Sequence, residues 1–224
     1  MELDEIPERV PQQHHDPDYV RPIHSRYVDP VEVVWLSTAT RLGLTVRRDP
    51  DIFSMTDGTG LMALGPRTDL DEDDCLAQMF FHEICHWITN GAETFGERDW
   101  GFPLLGPHDP REHACLRLQA WWSARHGLRA QFGPTGQYRQ YYDRIPSDPL
   151  QPIDGSDWEA EVVALAQQAI TRAQGEPWWD PIEAAMAATQ AIVGVLRPFV
   201  SDYRSEWPGD DLPLIWTRNH SAGD

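Results

Sequence analysis

The sequence contains no lysine: all 18 of its basic residues are arginines, against 36 aspartates and glutamates in 224 residues. The resulting net charge of −18 argues against nucleic acid or an anionic membrane surface as a partner. The sequence also lacks an apolar run of about 18 residues, so we expect no membrane-spanning helix. Its first residues have no apolar segment of the kind that secretory signals need, so we expect no such signal.

Cysteine is scarce as well. The chain has three cysteines, an odd number that disfavours a disulfide framework and favours free thiols in a reducing compartment. These observations together predict a cytoplasmic protein.

The order of sequence patterns predicts an α+β fold. Residues 1–28 hold four prolines without hydrophobic periodicity, which indicates an extended or disordered N-terminal arm. Helix and turn signals then predict the following elements: a helix at 29–42, strands at 44–48, 52–56 and 60–64, and helices at 71–90, 109–126, 158–174 and 180–196. The two strands that flank Asp57-Gly58-Thr59-Gly60 form a predicted hairpin.

We expect two units behind the arm. Residues 29–150 form a core in which the small sheet and hairpin pack on the helix at 71–90, and residues 151–224 form a helical extension and tail packed on it. Glycine and proline in residues 91–110 predict an irregular loop between two helices.

The pentapeptide His82-Glu83-Ile84-Cys85-His86 is the motif that indicates a specific chemistry. On a helix, side chains four positions apart reach one point from successive turns, and two neutral imidazoles there suit a zinc ion. Glu83 is close enough to handle a proton of a zinc-bound water. Cys85 is a conceivable fourth ligand, although a small buried packing residue is the simpler interpretation.

With this motif, a preceding hairpin and a later helix that carries a glutamate, the sequence resembles the HExxH zinc metallopeptidases, and among them the gluzincin group. The resemblance implies a zincin-like core, one Zn²⁺ ion and a peptide or protein substrate. It also implies that the third zinc ligand is a glutamate on a later helix. The longer motif of the metzincin group, with a further glycine and histidine, is absent after His86.

Glu112 is the predicted third ligand, because it borders the apolar face of the helix at 109–126. His113 points toward the polar side of that helix and remains an alternative, as do the residues His108, Asp109 and Glu93. The gluzincin pattern often has an aspartate one turn after the ligand glutamate. Leu116 stands at that position here, so Asp99 is a candidate for the same anchoring role.

The resemblance implies hydrolysis of a peptide bond by a metal-activated water, with Glu83 as the general base. An oxyanion donor is also needed. Tyr138, Tyr141, Tyr142 and His126 follow the predicted ligand helix, and we select Tyr141 or Tyr142. Two other functions stay open: a non-proteolytic binding or regulatory module with the same fold and an unidentified protein partner, and a metal-dependent hydrolase of a non-peptide amide.

Overall fold

The structure is a computed structural model, which describes residues 20, 28–66, 68, 74–102, 109–134 and 136–200. The predicted arm at 1–28 lies outside the described residues except at Val20 and Val28. The predicted tail after residue 200 lies outside them entirely.

The fold is α+β and mostly helical, with one small sheet, as the sequence predicts. The helices are α1 Pro30–Arg41, α2 Leu76–Asn90, α3 Pro110–Arg125, α4 Arg139–Arg144, α5 Asp157–Ala173 and α6 Trp179–Val200. The strands are β1 Thr45–Arg48, β2 Ser54–Thr56 and β3 Leu61–Leu64. Short 3₁₀ helices span Ala92–Gly96, Arg98–Gly101 and Gly136–Tyr138.

The three strands form one sheet in the order β1-β3-β2. β1 pairs with β3 in parallel, and β2 pairs with β3 as the predicted antiparallel hairpin. Its turn is held by Asp57, whose carboxylate accepts hydrogen bonds from the backbone N–H of Thr59 at 2.7 Å and of Leu61 at 3.0 Å. Gly58 and Gly60 adopt φ values of 72° and 96° there, which glycine tolerates at low cost. In the strand order β1-β3-β2, β2 has a neighbour on one side only, so it is an edge strand of this sheet.

Helix α2 begins five residues later than the sequence predicts, at Leu76 instead of residue 71. Cys75 has extended backbone angles, φ −143° and ψ 164°, and ends the helical conformation on its N-terminal side. Asp74 turns into the protein, where it is 1% exposed and accepts a hydrogen bond from Nε2 of Gln78 at 2.6 Å. Local hydrogen bonding to a buried side chain thus replaces the expected helix-dipole role of this acidic residue.

Helix α2 lies at the centre of the core and is buried on most sides. Four aromatic side chains interlock around its N-terminal half: Trp35, Phe80, Phe81 and Phe132. α3 and α5 pack on it, and α6 packs on α1, where Nε1 of Trp35 donates to Oγ1 of Thr189 at 3.0 Å. This packing fixes the face that α2 turns toward α3.

Three predicted segments differ from the structure. The described part of the 91–110 loop contains two 3₁₀ helices, α4 forms in a Gly/Pro/Tyr-rich segment where we expected no helix, and α6 continues to Val200. Among the described residues, no helix is both long and apolar enough to cross a membrane.

Candidate metal centre

Helices α2 and α3 bring two imidazoles and one carboxylate together. Nε2 of His82 lies 3.3 Å from Oε1 of Glu112, and Nε2 of His86 lies 3.1 Å from Oε2 of the same residue. The ligand-type atoms of the three residues all lie within 4.8 Å of one another. Their side chains are only 9–16% exposed, so the group is pre-assembled inside the protein.

The geometry of this group fits a bound metal ion. Nε2 of His86 and Oε1 of Glu112 are buried, yet no described group meets hydrogen-bond geometry with either atom. A tetrahedral zinc ion with bonds of about 2.0–2.2 Å keeps its ligand atoms about 3.3–3.5 Å apart. The observed separations of 3.3 and 3.1 Å are close to that spacing. Two imidazoles and a carboxylate are also a donor set that zinc accepts.

Gln119 orients His82, and sequence analysis gave it no role. Its Nε2 donates to the backbone carbonyl of Phe132 at 2.6 Å, so its Oε1 is the free acceptor and lies 3.0 Å from Nδ1 of His82. This arrangement requires the proton of a neutral His82 on Nδ1 and leaves the lone pair of Nε2 pointing at Glu112. A lone pair facing a carboxylate oxygen needs a proton or a cation between the two atoms.

Electrostatics within the group are strong. Burial alone would lower the pKa of His86, but the carboxylates of Glu112 and Glu83 raise it to about 10. Burial alone would raise the pKa of Glu112, but the two imidazoles hold it well below its usual range. The site therefore stabilises positive charge at its centre, whether that charge is a proton on His86 or a metal cation.

Glu83 lies on the other side of His86. Its Oε2 is 3.5 Å from Nδ1 of His86. Burial acts to raise the pKa of Glu83, but the two histidines and a hydrogen bond from Ser54 on β2 outweigh burial and lower it. The carboxylate is therefore ionised at neutral pH and able to accept a proton.

The alternative third ligands lie elsewhere or outside the described residues. The His113 ring contacts Tyr141 and Trp158, with centroids 4.3 and 4.7 Å away. Asp109 caps α3 by accepting from the N–H of Arg111 at 2.7 Å. Glu93 is exposed in a 3₁₀ helix, and His108 falls outside the described residues. Of the described candidates, Glu112 is the one that joins the two histidines.

The two tyrosines selected as oxyanion donors are engaged away from the three-residue group. The Tyr141 hydroxyl accepts from Nε of Arg117 at 2.7 Å and donates to Glu159 at 3.1 Å. The Tyr142 side chain is buried, and its hydroxyl donates to the carbonyl of Arg129 at 3.0 Å. These bonds are structural, so we correct that selection.

The charge of Glu112 also affects the pKa of the Tyr138 hydroxyl. Burial is the main cause that raises its pKa, and the negative charge of Glu112 raises it further. Its side chain is only partly buried, at the end of the 3₁₀ helix Gly136–Tyr138. The hydroxyl is therefore protonated near neutral pH, as in an ordinary tyrosine, and can donate a hydrogen bond.

Asp99 and Cys85 do not take the roles considered for them. Asp99 accepts a hydrogen bond from the backbone N–H of Thr56 at 2.8 Å. Its carboxylate therefore holds the edge strand β2 and does not orient a histidine of the site. Cys85 is fully buried, and burial followed by the charges of Glu83 and Glu112 raises the pKa of its thiol well above the usual range. It is a packing residue.

One face of His86 is covered by Phe102, whose ring stacks on the imidazole at 4.4 Å with an interplanar angle of 14°. The Arg111 guanidinium lies 5.0 Å from the centre of the Phe102 ring. These contacts hold the His86 ring plane and exclude water from that face.

Comparisons with protein-family models, with curated proteins and with solved structures gave no match to this chain.

Proposed function

We propose that this protein is a zinc-dependent metallopeptidase with a zincin-like core, in which His82, His86 and Glu112 hold one Zn²⁺ ion and Glu83 is the general base. The observation that carries the proposal is the convergence of three ligand-type side chains, two of whose buried atoms meet hydrogen-bond geometry with no described group. An ionised glutamate beside one of these ligands adds support.

The chain's own residues divide the work of peptide hydrolysis. A bound zinc ion would supply a Lewis acid that makes a water more acidic and polarises the scissile carbonyl. Glu83 takes a proton from the attacking water and delivers it to the leaving amine. Gln119 holds the orientation of the His82 ring, and Phe102 holds that of the His86 ring. The two ligand rings therefore keep their positions during the reaction.

Tyr138 is our candidate for the oxyanion donor, in place of Tyr141 and Tyr142. Its hydroxyl is protonated near neutral pH and electrostatically coupled to Glu112. Donors aimed at the developing negative charge of a tetrahedral intermediate often supply a large part of the rate enhancement.

We also propose that the protein acts in a reducing compartment such as the cytoplasm, on a peptide or protein substrate. Its three cysteines, Cys75, Cys85 and Cys115, are all free thiols. That state is normal for proteins in the cytoplasm.

The test is cleavage of a mixed peptide library by the zinc-loaded protein, read by mass spectrometry. Glu83→Gln keeps the shape of the side chain but cannot accept the proton, so we expect zinc and fold to be retained and cleavage to fall at least about a thousandfold. Glu161→Gln, at an exposed position on α5, is the matched control and should cleave like the wild type.

Two outcomes would redirect the proposal. If the zinc-loaded wild type cuts no peptide, a binding or regulatory module is the better account. If Glu83→Gln cuts as fast as the wild type, the cleavage does not come from this site.

A further inference from the structure

Two buried glutamine side chains bind consecutive carbonyl groups in the segment that follows α3. Gln119 on α3 donates from Nε2 to the carbonyl of Phe132 at 2.6 Å, and Gln78 on α2 donates from Nε2 to the carbonyl of Gly133. The side chains of Gln78, Gln119 and Phe132 are all 0% exposed. The Phe132–Gly133 peptide is therefore bound by both helices that carry the candidate metal ligands.

The Gln78 amide is fixed in one orientation. Its Nε2 also donates to Oδ1 of Asp74 at 2.6 Å, so both of its N–H groups have acceptors. A backbone carbonyl can only accept a hydrogen bond, so the nitrogen of this amide must face Gly133. Gln78 lies one helical turn before His82 on α2, on the same side of that helix. The Gly133 carbonyl is thus tied to α2 close to a candidate ligand.

The position of the Phe132 carbonyl determines which end of the Gln119 amide faces His82. The two ends of an amide are nearly alike in size, and rotation about this terminal bond is easy. With Nε2 of Gln119 on the Phe132 carbonyl, Oε1 lies 3.0 Å from Nδ1 of His82. An amide turned the other way would offer N–H to Nδ1, and the proton of a neutral His82 would then lie on Nε2. That atom faces Glu112, and a proton on it would prevent its bond to a metal ion.

The Phe132 ring alone does not fix the direction of its carbonyl. The ring contacts Trp35 and Phe81, with centroids 5.2 and 5.5 Å away. Rotation about the bond between Cα and the carbonyl carbon turns the peptide and leaves the ring where it is. The next residue is Gly133, which has no side chain to restrict its backbone. The hydrogen bond from Gln78 restrains this peptide from its other end.

We propose that Gln78 is a positioning residue of the metal centre. Through the Phe132–Gly133 peptide it keeps the Gln119 amide in the orientation that places the proton of His82 on Nδ1 and leaves Nε2 open to the metal. Gln78 acts on the zinc ion only through this series of bonds. This inference rests on the proposed function, of which it uses the zinc site and not the cleavage of peptides.

The variant Gln78→Met tests this role, because methionine has a similar size and removes both N–H donors. In the full-length protein we expect zinc affinity, measured by competition with a chelator, to fall about three- to 30-fold, a part of the loss typical for outer partners of a ligand histidine. The double variant Gln78→Met/Gln119→Ala should bind zinc at most about twofold more weakly than Gln119→Ala, because both residues act through one bond. Additive losses, or unchanged affinity in Gln78→Met, would overturn the inference.

Ser156→Ala is the control for a general loss of stability. Ser156 caps α5 by accepting a hydrogen bond from the N–H of Glu159 at 3.1 Å, and loss of such a cap destabilises a protein. This variant should have a lower melting temperature and unchanged zinc affinity. An equal loss of affinity in Ser156→Ala and Gln78→Met would show that zinc binding follows stability, which would overturn a specific role for Gln78.

Nitrogen-15 NMR of the zinc-free protein, at a pH where His82 is neutral, observes the ring directly. Protonated and unprotonated ring nitrogens have clearly different chemical shifts. In wild type and Ser156→Ala we expect the proton on Nδ1, whereas Gln78→Met and Gln119→Ala should show a mixture of both tautomers. A pure Nδ1–H form in Gln78→Met would contradict the proposed role.

A measurement on the wild type decides the question if Gln78→Met does not fold. If the Gln78 bond favours zinc binding, zinc must favour that bond by the same factor. Hydrogen exchange at the side-chain amides of Gln78 and Gln119 should therefore slow when zinc is added, whereas exchange at Gln168, exposed on α5, should not change. Slower exchange at Gln119 alone would overturn the inference. Failure of the wild type to bind zinc would instead count against the proposed metal centre.

Discussion

Nδ1 of His82 donates to Oε1 of Gln119 across the interface of α2 and α3, at 3.0 Å. Gln119 lies two helical turns after Glu112, on the same side of α3, and the carbonyl of Phe132 fixes its amide. A neutral amide therefore orients this histidine, where a carboxylate would have added negative charge. The candidate metal centre thus has one of its histidines oriented by Gln119, which contributes no charge of its own.

The first prediction concerns this anchor. Gln119→Ala should weaken zinc binding about 10- to 100-fold, since outer partners of ligand histidines typically contribute that much. Competition with a chromogenic chelator measures the affinity. Gln190→Ala, on the exposed face of α6, is the control and should bind zinc like the wild type. Unchanged affinity in Gln119→Ala would show that His82 does not need this orientation.

The second prediction separates a zinc ligand from a glutamate near the start of another helix, Glu183 on α6. Glu112→Ala should lower zinc affinity by at least about 100-fold, which is more than the loss expected for Gln119→Ala. Glu183→Ala removes the acceptor of the Trp122 indole N–H, a 2.7 Å bond, and should cost about 1–3 kcal/mol of stability. It should leave zinc affinity unchanged. If both variants lose stability alike and both retain zinc, Glu112 is a structural residue.

The third prediction concerns the number of protons released when zinc binds. In the zinc-free protein the pKa of His86 is raised from 6.5 to about 10, so this group contributes stability that is fully present below pH 6.5. That stability is lost as the pH rises through about 10. Zinc must displace the proton, so binding at pH 7.5 should release about one proton per ion. Calorimetry in buffers of different ionisation enthalpy counts it, and zero release would contradict a protonated His86.

The fourth prediction contrasts two tyrosines. Tyr138→Phe should lower kcat about 100-fold with little change in KM or melting temperature, since an oxyanion donor acts in the transition state. Tyr141→Phe removes a hydroxyl shared by the buried side chains Arg117 and Glu159, so it should lower the melting temperature. Equal losses of kcat in both variants would argue against a specific role for Tyr138.

Periodicity and turn chemistry were sufficient to predict the α+β class, the hairpin and the four long helices that follow α1, with errors mainly at their ends. The start of α2 was wrong because Asp74 is buried and bonds locally to Gln78, whose amide also bonds to the distant carbonyl of Gly133. That burial depends on tertiary packing, which leaves no local signal in the sequence. The placement of Glu112 opposite both histidines agrees with the expected apolar border of α3.

The surroundings of the centre could not be predicted from local patterns. Gln119 and Phe102 contact it from two separate segments, and their positions depend on how α2, α3 and the connecting loops pack. The Arg117–Glu159 pair likewise explains why Tyr141 is engaged elsewhere, although the two residues are 42 positions apart. Spacing along the chain carries no information about such partners.

Anomalous diffraction at the zinc edge, from crystals of the protein purified without chelators, tests the central claim most directly. The proposal predicts one peak per chain, about 2.0–2.2 Å from Nε2 of His82, Nε2 of His86 and an oxygen of Glu112. No peak in zinc-supplemented crystals, with the Glu112 carboxylate bonded directly to a protonated His86, would contradict it, as would a peak bound by other residues.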